Sequence, residues 1–350
     1  MTMCSISSIH SFFFIGSVMQ ANSPSSVLIL GANGRFGRVA VEAFSRAGWH
    51  VIAQSRSAPS EALPRNAVPL VCEALDTDRI HGACTGKIQV IVNALNPAYT
   101  KWEQLVPPIT ASVLALARET GAMIMLPGNV YNFGSALPEV LSEHTSSVPN
   151  TSKARVRIEL ERQMQLAAAE GVRSVVIRAG DFLGGAGPGT WMDMVMAKKL
   201  NKQQFTYLGP TDVEHAWAYL PDLARVFVAV GEHRNALPPF EVLHYGGLAC
   251  TGRELFHAME RVTGRALQLK QMPWWLLRLL SPVVPMCKAV LEMRYLWLRP
   301  HRLDETKLAS LIGEVPHTSL DQVLRHCIAP NSMGGEENIG QAIESHAIHK

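Results

Sequence analysis

Residues 27–48 carry a strand, a glycine turn and a helix in one short stretch. Val27–Leu30 is an apolar run that reads as a buried strand. Gly31, Gly34 and Gly37 follow at the spacing GxxGxxG. Phe36, Val39, Ala40, Ala43, Phe44 and Ala47 then recur at helical spacing until Gly48 ends the pattern. Three glycines alone are a weak signal; after a strand and at the opening of a helix they are a specific one. Gly31 suits a tight turn, Gly34 a close approach of backbone to a pyrophosphate, and Gly37 close packing of the helix. The helix N-terminus offers free N–H groups and partial positive charge to phosphates. The motif points to a bound dinucleotide, with Asn33, Arg35 and Phe36 as further contact candidates in the same loop.

The following residues continue the alternation. Apolar runs at 49–53, 67–72, 88–92, 122–126 and 174–178 read as strands, and 109–120 and 153–170 as helices. Strands alternating with helices imply an α/β fold, a Rossmann-type doubly wound parallel sheet. After Gly180 the pattern changes to a glycine-rich loop at 184–189, a helix at 222–232, a strand at 240–245 and a helix at 253–263. The division expected is a disordered extension at 1–25, a nucleotide-binding domain at 26–180, a smaller C-terminal substrate domain at 181–328, and a mobile tail at 329–350.

Composition narrows the class. Hydrophobic residues at 47% and charged residues at 17% exclude a disordered chain. A net charge of +3 with no Lys/Arg run gives no reason to expect nucleic acid. The six cysteines form no CxxC pair and there is no HExxH, so no metal site is expected, and the thiols read as reduced in a cytoplasmic protein. The apolar run at 11–18 has no Lys or Arg before it. It reads as a disordered extension, or as lying upstream of a start at Met19, in preference to a signal peptide. Residues 273–298 are rich in Trp, Leu and Pro. They are read first as core of the second domain or a lid, second as an oligomer contact, and only third as a membrane surface. The partner expected is a small-molecule substrate, with a homo-oligomer allowed and no membrane association expected.

The end of the second strand reports on the cofactor. A carboxylate there would bind the adenine ribose 2′-hydroxyl, and an Arg would accommodate a 2′-phosphate. The sequence is Gln54-Ser55-Arg56, without a carboxylate. Arg35, in the glycine loop, is expected to add a second guanidinium suited to phosphate. NADP is therefore preferred, with NAD the alternative.

With VLILGANGRFG at 27–37, VNALNP at 92–97, NVYNFG at 129–134, Lys153, VIRAGDFLG at 176–184 and LPDLARVFVAV at 220–230, the chain resembles the extended short-chain dehydrogenase/reductase superfamily. It is closest to that superfamily's NAD-dependent epimerase/dehydratase group. The resemblance spans about residues 26–325. It implies a nucleotide domain to which late segments near 216–246 return. It also implies that the stretch from Glu73 to Asp76 approaches the adenine, that Ala94 lines the cofactor channel, and that Lys153 reaches the nicotinamide ribose. The family's chemistry uses a Tyr four residues before the Lys, and a Ser or Thr nearby. Here those positions hold Pro149 and Pro127, and proline carries no side-chain proton.

Other side chains are candidates for the missing acid. Tyr131 is one, with a core aromatic as its alternative role. Asp181 and His215 are two more, expected where the second domain faces the nicotinamide, with His titrating most readily near neutral pH. Two readings follow: an NADP(H)-dependent oxidoreductase or epimerase/dehydratase-like enzyme acting on a small carbonyl or hydroxyl compound, or a non-catalytic NADP(H)-binding sensor.

Overall fold

A computed structural model of the chain describes residues 24–84, 88–185 and 189–329. The expected extension before residue 24, the tail after 329 and part of the 184–189 loop lie outside the described residues.

The chain begins β1 (Ser26–Leu30), α1 (Arg35–Arg46), β2 (His50–Ser55), β3 (Ala67–Val71), α2 (Thr77–Ala83) and β4 (Val90–Asn93). It continues α3 (Trp102–Thr120), β5 (Met123–Gly128), β6 (Val140–Leu141), α4 (Ser152–Ala168) and β7 (Ser174–Arg178). Next come β8 (Asp181–Leu183), β9 (Gln204–Tyr207), β10 (Glu214–Tyr219), α5 (Leu220–Glu232) and β11 (Phe240–His244). The chain then forms β12 (Leu248–Thr251), α6 (Gly252–Thr263), β13 (Gln268–Gln271), α7 (Trp274–Leu280) and α8 (Pro285–Glu292). It ends with β14 (Arg302–Leu303), α9 (Thr306–Ile312) and α10 (Leu320–Ile328).

Seven strands form one sheet in the order β3-β2-β1-β4-β5-β7-β11, every neighbouring pair parallel. The order reverses between β1 and β4, and a crevice at the carboxyl ends of strands beside such a reversal is where this architecture binds ligands. The apolar run at β1 has a simple cause. Val27 and Ile29 face one core with Phe36, Phe44 and Phe227, while Leu28 and Leu30 face a second core with Ile91, Leu114 and Leu160. A strand covered on both faces needs no polar alternation. Helices α1 and α5 cover the first face, their contact marked by the Phe36 and Phe227 rings at 4.7 Å. Helices α3 and α4 cover the second.

Two boundaries differ from the sequence reading for identifiable reasons. Pro107 and Pro108 suggest a helix beginning at Ile109, yet α3 starts at Trp102 and carries both prolines in its second turn. The buried Trp102, whose indole donates to the Pro97 carbonyl at 2.9 Å, anchors that first turn by tertiary contact. Helix α4 starts at Ser152 behind Thr151, whose hydroxyl accepts from the Ala154 N–H at 3.0 Å.

A three-stranded sheet, β8-β10-β12, stands beside the C-terminal ends of the main strands. It shares a core with α6 and α10 through Trp217, Leu255, Trp297, Val323 and Leu324. Segment 273–298 therefore contributes to this core at Trp297, but α7 buries no residue fully.

Candidate functional site

The glycine loop is built as the spacing suggests. Gly31 adopts φ +77°, open to glycine at little cost. A Cβ on Gly37 would stand 2.2 Å from the Gly31 carbonyl oxygen, so only hydrogen allows α1 to press on the loop. The first turn of α1 has no side-chain cap, so its N–H groups face the crevice uncapped. Gln54 braces the loop from β2, accepting from Gly31 N–H at 3.0 Å and donating to the Cys72 carbonyl at 2.7 Å. Ala94 closes the far side, its carbonyl against Gly31. These residues fit a dinucleotide pyrophosphate.

The neighbouring candidates divide. Arg56 is exposed directly after β2, where a ribose substituent would lie. Asn33 donates to the Ser57 carbonyl at 3.0 Å and so ties the loop to the Arg56 segment. Phe36 is a core residue against Phe227, not an exposed contact. Arg35 departs from expectation. Its guanidinium turns away from β2, bonding the Gly184 carbonyl at 2.8 Å and Asp193 at 2.6 Å, because a partly buried carboxylate offers it charge pairing. Asp76 likewise serves the backbone, accepting from the Arg79 N–H at 3.2 Å as the N-cap of α2. Its carboxylate stabilises a helix end.

Further along the strand ends, Tyr131 and Tyr99 meet hydroxyl to hydroxyl at 2.7 Å. Tyr131 follows β5 and is buried; Tyr99 follows β4 and is half-buried. Asn129 shapes this turn by accepting from the Tyr131 N–H at 3.0 Å. Burial pushes both phenols above their ordinary range, and the Asp181 carboxylate acts on both in the same direction. Each therefore stays protonated at neutral pH. Tyr99 has no periodic pattern around it, and the sequence reading missed it. Its position just past β4, at the carboxyl edge beside the strand-order reversal, is the signal that marks it.

Lys153 is not a solvated helix lysine. Its ammonium is buried, lies 5.4 Å from the centre of the Tyr99 ring and 2.6 Å from Glu292 at the end of α8. Glu292 also accepts from the Ser152 backbone N–H, and from the Ser152 hydroxyl at 3.0 Å. Burial raises the Glu292 pKa, but Lys153 and Ser152 together outweigh it and hold the carboxyl below its usual range. Pro149 is not on the Lys153 helix at all, since α4 begins three residues later. Pro127 sits within β5, in register with Ile177.

Asp181 and His215 come together on adjacent strands. His215 Nε2 lies 2.9 Å from Asp181 Oδ2. The imidazole stacks on Trp297 at 4.2 Å and 6°, is edged by His301 at 4.7 Å, and is 1% exposed. Among the described residues its Nδ1 has no partner. A sealed ring cannot touch a substrate, so of the two it is Asp181 that faces outward, and His215 positions it. Among the described residues no cluster of three metal-ligating side chains occurs, and no helix is long and apolar enough to cross a membrane.

Comparison with known proteins agrees with this fold. The UDP-glucose 4-epimerase of Brucella ovis, solved with NAD, is 16% identical, with a TM-score of 0.68 over 86% of this chain and 97% of that one. The UDP-glucose 4-epimerase of Stenotrophomonas maltophila, with bound NAD and formylated UDP-arabinopyranose, is 15% identical at 0.69, covering 92% and 99%. That of Thermotoga maritima, with UDP-glucose, is 16% identical at 0.69, covering 86% and 96%. These likenesses concern the fold. A search of curated proteins returns no match. The model of one family matches residues 27–246, the glycine cradle through the last strand of the main sheet, and on that match the chain belongs to the NAD dependent epimerase/dehydratase family.

Proposed function

We propose that the chain is an NADP(H)-dependent enzyme acting on a small carbonyl or hydroxyl compound. The Tyr99–Tyr131 pair would handle the proton that the family's helix tyrosine handles elsewhere. The observation that carries this reading is the 2.7 Å hydroxyl contact beside the buried Lys153 ammonium. A dinucleotide held by its pyrophosphate at the glycine cradle would supply or take the hydride through its nicotinamide. Tyr99, the more exposed phenol, gives its proton to the developing alkoxide, and Tyr131 hydrogen-bonds the phenolate left behind. Asp181, held by His215, orients the substrate hydroxyl. Arg56 and the lack of a carboxylate at the end of β2 support the 2′-phosphate of NADP over NAD, which the Brucella ovis and Stenotrophomonas maltophila structures hold.

A second reading, a nucleotide-binding sensor without turnover, draws on the Lys153–Glu292 pair, since a neutralised lysine does less to acidify a phenol. Fluorescence titration of the full chain with NADPH and NADH, then NADPH oxidation against a panel of small carbonyl compounds, separates the two. The enzyme reading expects NADPH to bind at least tenfold tighter, about 1.4 kcal/mol. It also expects Tyr99→Phe to lose about 10²-fold or more in turnover with cofactor affinity kept. Tight binding with no turnover on any compound supports the sensor, and no binding of either nucleotide overturns both.

A further inference from the structure

More than half of the exposed large hydrophobic side chains among the described residues lie between 269 and 298. They centre on the hairpin of α7 and α8. Trp275 is 69% exposed, Leu279 68% and Val283 77%, with Val284 and Met286 beside them. So large an apolar tip is unusual on a soluble surface and marks an interaction site.

The tip is built to leave water. From Ser281 to Pro285 each backbone N–H is either paired or missing. Ser281 donates to the Leu277 carbonyl at 2.9 Å, Val283 and Val284 both donate to that of Leu280, and Pro282 and Pro285 have none. The Ser281 hydroxyl is spent on the Arg278 carbonyl. No backbone donor in this turn would be orphaned in hydrocarbon.

The exposed charges of the segment 268–300 are of one sign. Lys270, Arg278, Lys288 and Arg299 are exposed, and the one carboxylate between 268 and 300, Glu292, is already held by Lys153. Cations on both helices of an apolar, Trp-bearing tip complement an anionic lipid surface. A second copy of this chain fits poorly, since a two-fold contact would set these cations against one another. A protein partner would want hydrogen-bonding side chains that the tip lacks. Helix α7 spans only about 10 Å, so the hairpin can seat in the interface but not cross.

We propose that the α7–α8 hairpin docks the protein on anionic membrane surfaces, Trp275 and Val283 entering the headgroup boundary. This reverses the ranking that the sequence alone suggests for the segment.

The test is flotation of the full-length protein with vesicles of phosphatidylcholine, and of phosphatidylcholine mixed with phosphatidylglycerol. Binding is expected on the mixed vesicles and weakly or not at all on neutral ones, and salt is expected to weaken it. The R278Q/K288Q double variant is expected to bind on the order of thirtyfold more weakly, from about 1 kcal/mol per basic residue. W275S/V283S is expected to lose binding with an unchanged thermal midpoint, because both side chains are exposed. Brominated acyl chains should quench the wild-type tryptophan emission, and W275F should remove most of that quenching while still floating. Absence of flotation on anionic vesicles overturns the proposal, as does equal binding to both compositions. A dimer that V283S dissociates, with no flotation, would overturn it in favour of a second copy.

Discussion

Lys153 and Glu292 are 139 positions apart in sequence and 2.6 Å apart in space. The lysine belongs to the main sheet's helix layer and the glutamate to the base of the exposed hairpin. One ion pair thus joins the candidate proton-transfer centre to the hairpin that carries the exposed apolar side chains.

Removing one partner should be costly. Glu292→Gln leaves the Lys153 ammonium, 4% exposed in its side chain, without its carboxylate. The expected loss is about 3 kcal/mol, the low end for a broken buried pair because the glutamate is partly solvated. Urea denaturation of E292Q, K153M and the double variant K153M/E292Q measures it, with the double variant more stable than E292Q. Equal stability of E292Q and wild type would mean the pair does not hold the hairpin.

Gly37→Ala should weaken nucleotide binding ahead of global stability. Its Cβ would collide with backbone atoms of Gly31 and Ala32, not with a flexible side-chain end, so the loop must move. An affinity loss of at least tenfold is expected by fluorescence titration.

Arg56→Glu should invert cofactor preference. A carboxylate at the end of β2 suits the ribose hydroxyl and repels a 2′-phosphate. NADPH affinity should fall at least tenfold while NADH affinity holds or rises. An unchanged ratio would assign the choice to other residues.

Acid should destabilise the fold through two histidines. Burial, reinforced by His215, holds His301 down to about 4; burial, reinforced by Arg178, does the same for His244. Below about pH 6.5 both are protonated in the unfolded chain and neutral in the folded one. The unfolded state then binds more protons, so stability is full above pH 6.5 and falls as pH drops toward 4. Each histidine accounts for about 3 kcal/mol across that window. Urea midpoints between pH 7 and 4.5 measure the slope, and His244→Gln should flatten it.

What was legible in the sequence was local. The glycine spacing, the apolar strand runs and the helix after Gly37 each depend on neighbours within a few residues, and the sheet places them as read. Arg35 shows where local reading stops. Within its loop it looks like a phosphate ligand, but Asp193, more than 150 residues on, offers a partly buried carboxylate and takes it. Tyr99 and Glu292 were invisible for the same reason, since each matters through a partner brought by the fold. Trp275 erred in the other direction. Its apolar neighbours read as core, and only the packing of α7 against α8 shows that the stripe has no second layer over it.

The tyrosine contact has a consequence for direction. Two phenols contribute two hydrogens, but one bond between their oxygens can hold only one of them. The other hydrogen must point away. When it points out from Tyr99, the pair is poised to give a proton; when Tyr99 turns its hydrogen onto Tyr131 instead, the same oxygen can only accept a hydrogen bond. Rotation about two C–O bonds conserves both protons, so the pair as it stands is set for reduction of its substrate, and oxidation requires that one phenol first release its proton to solvent.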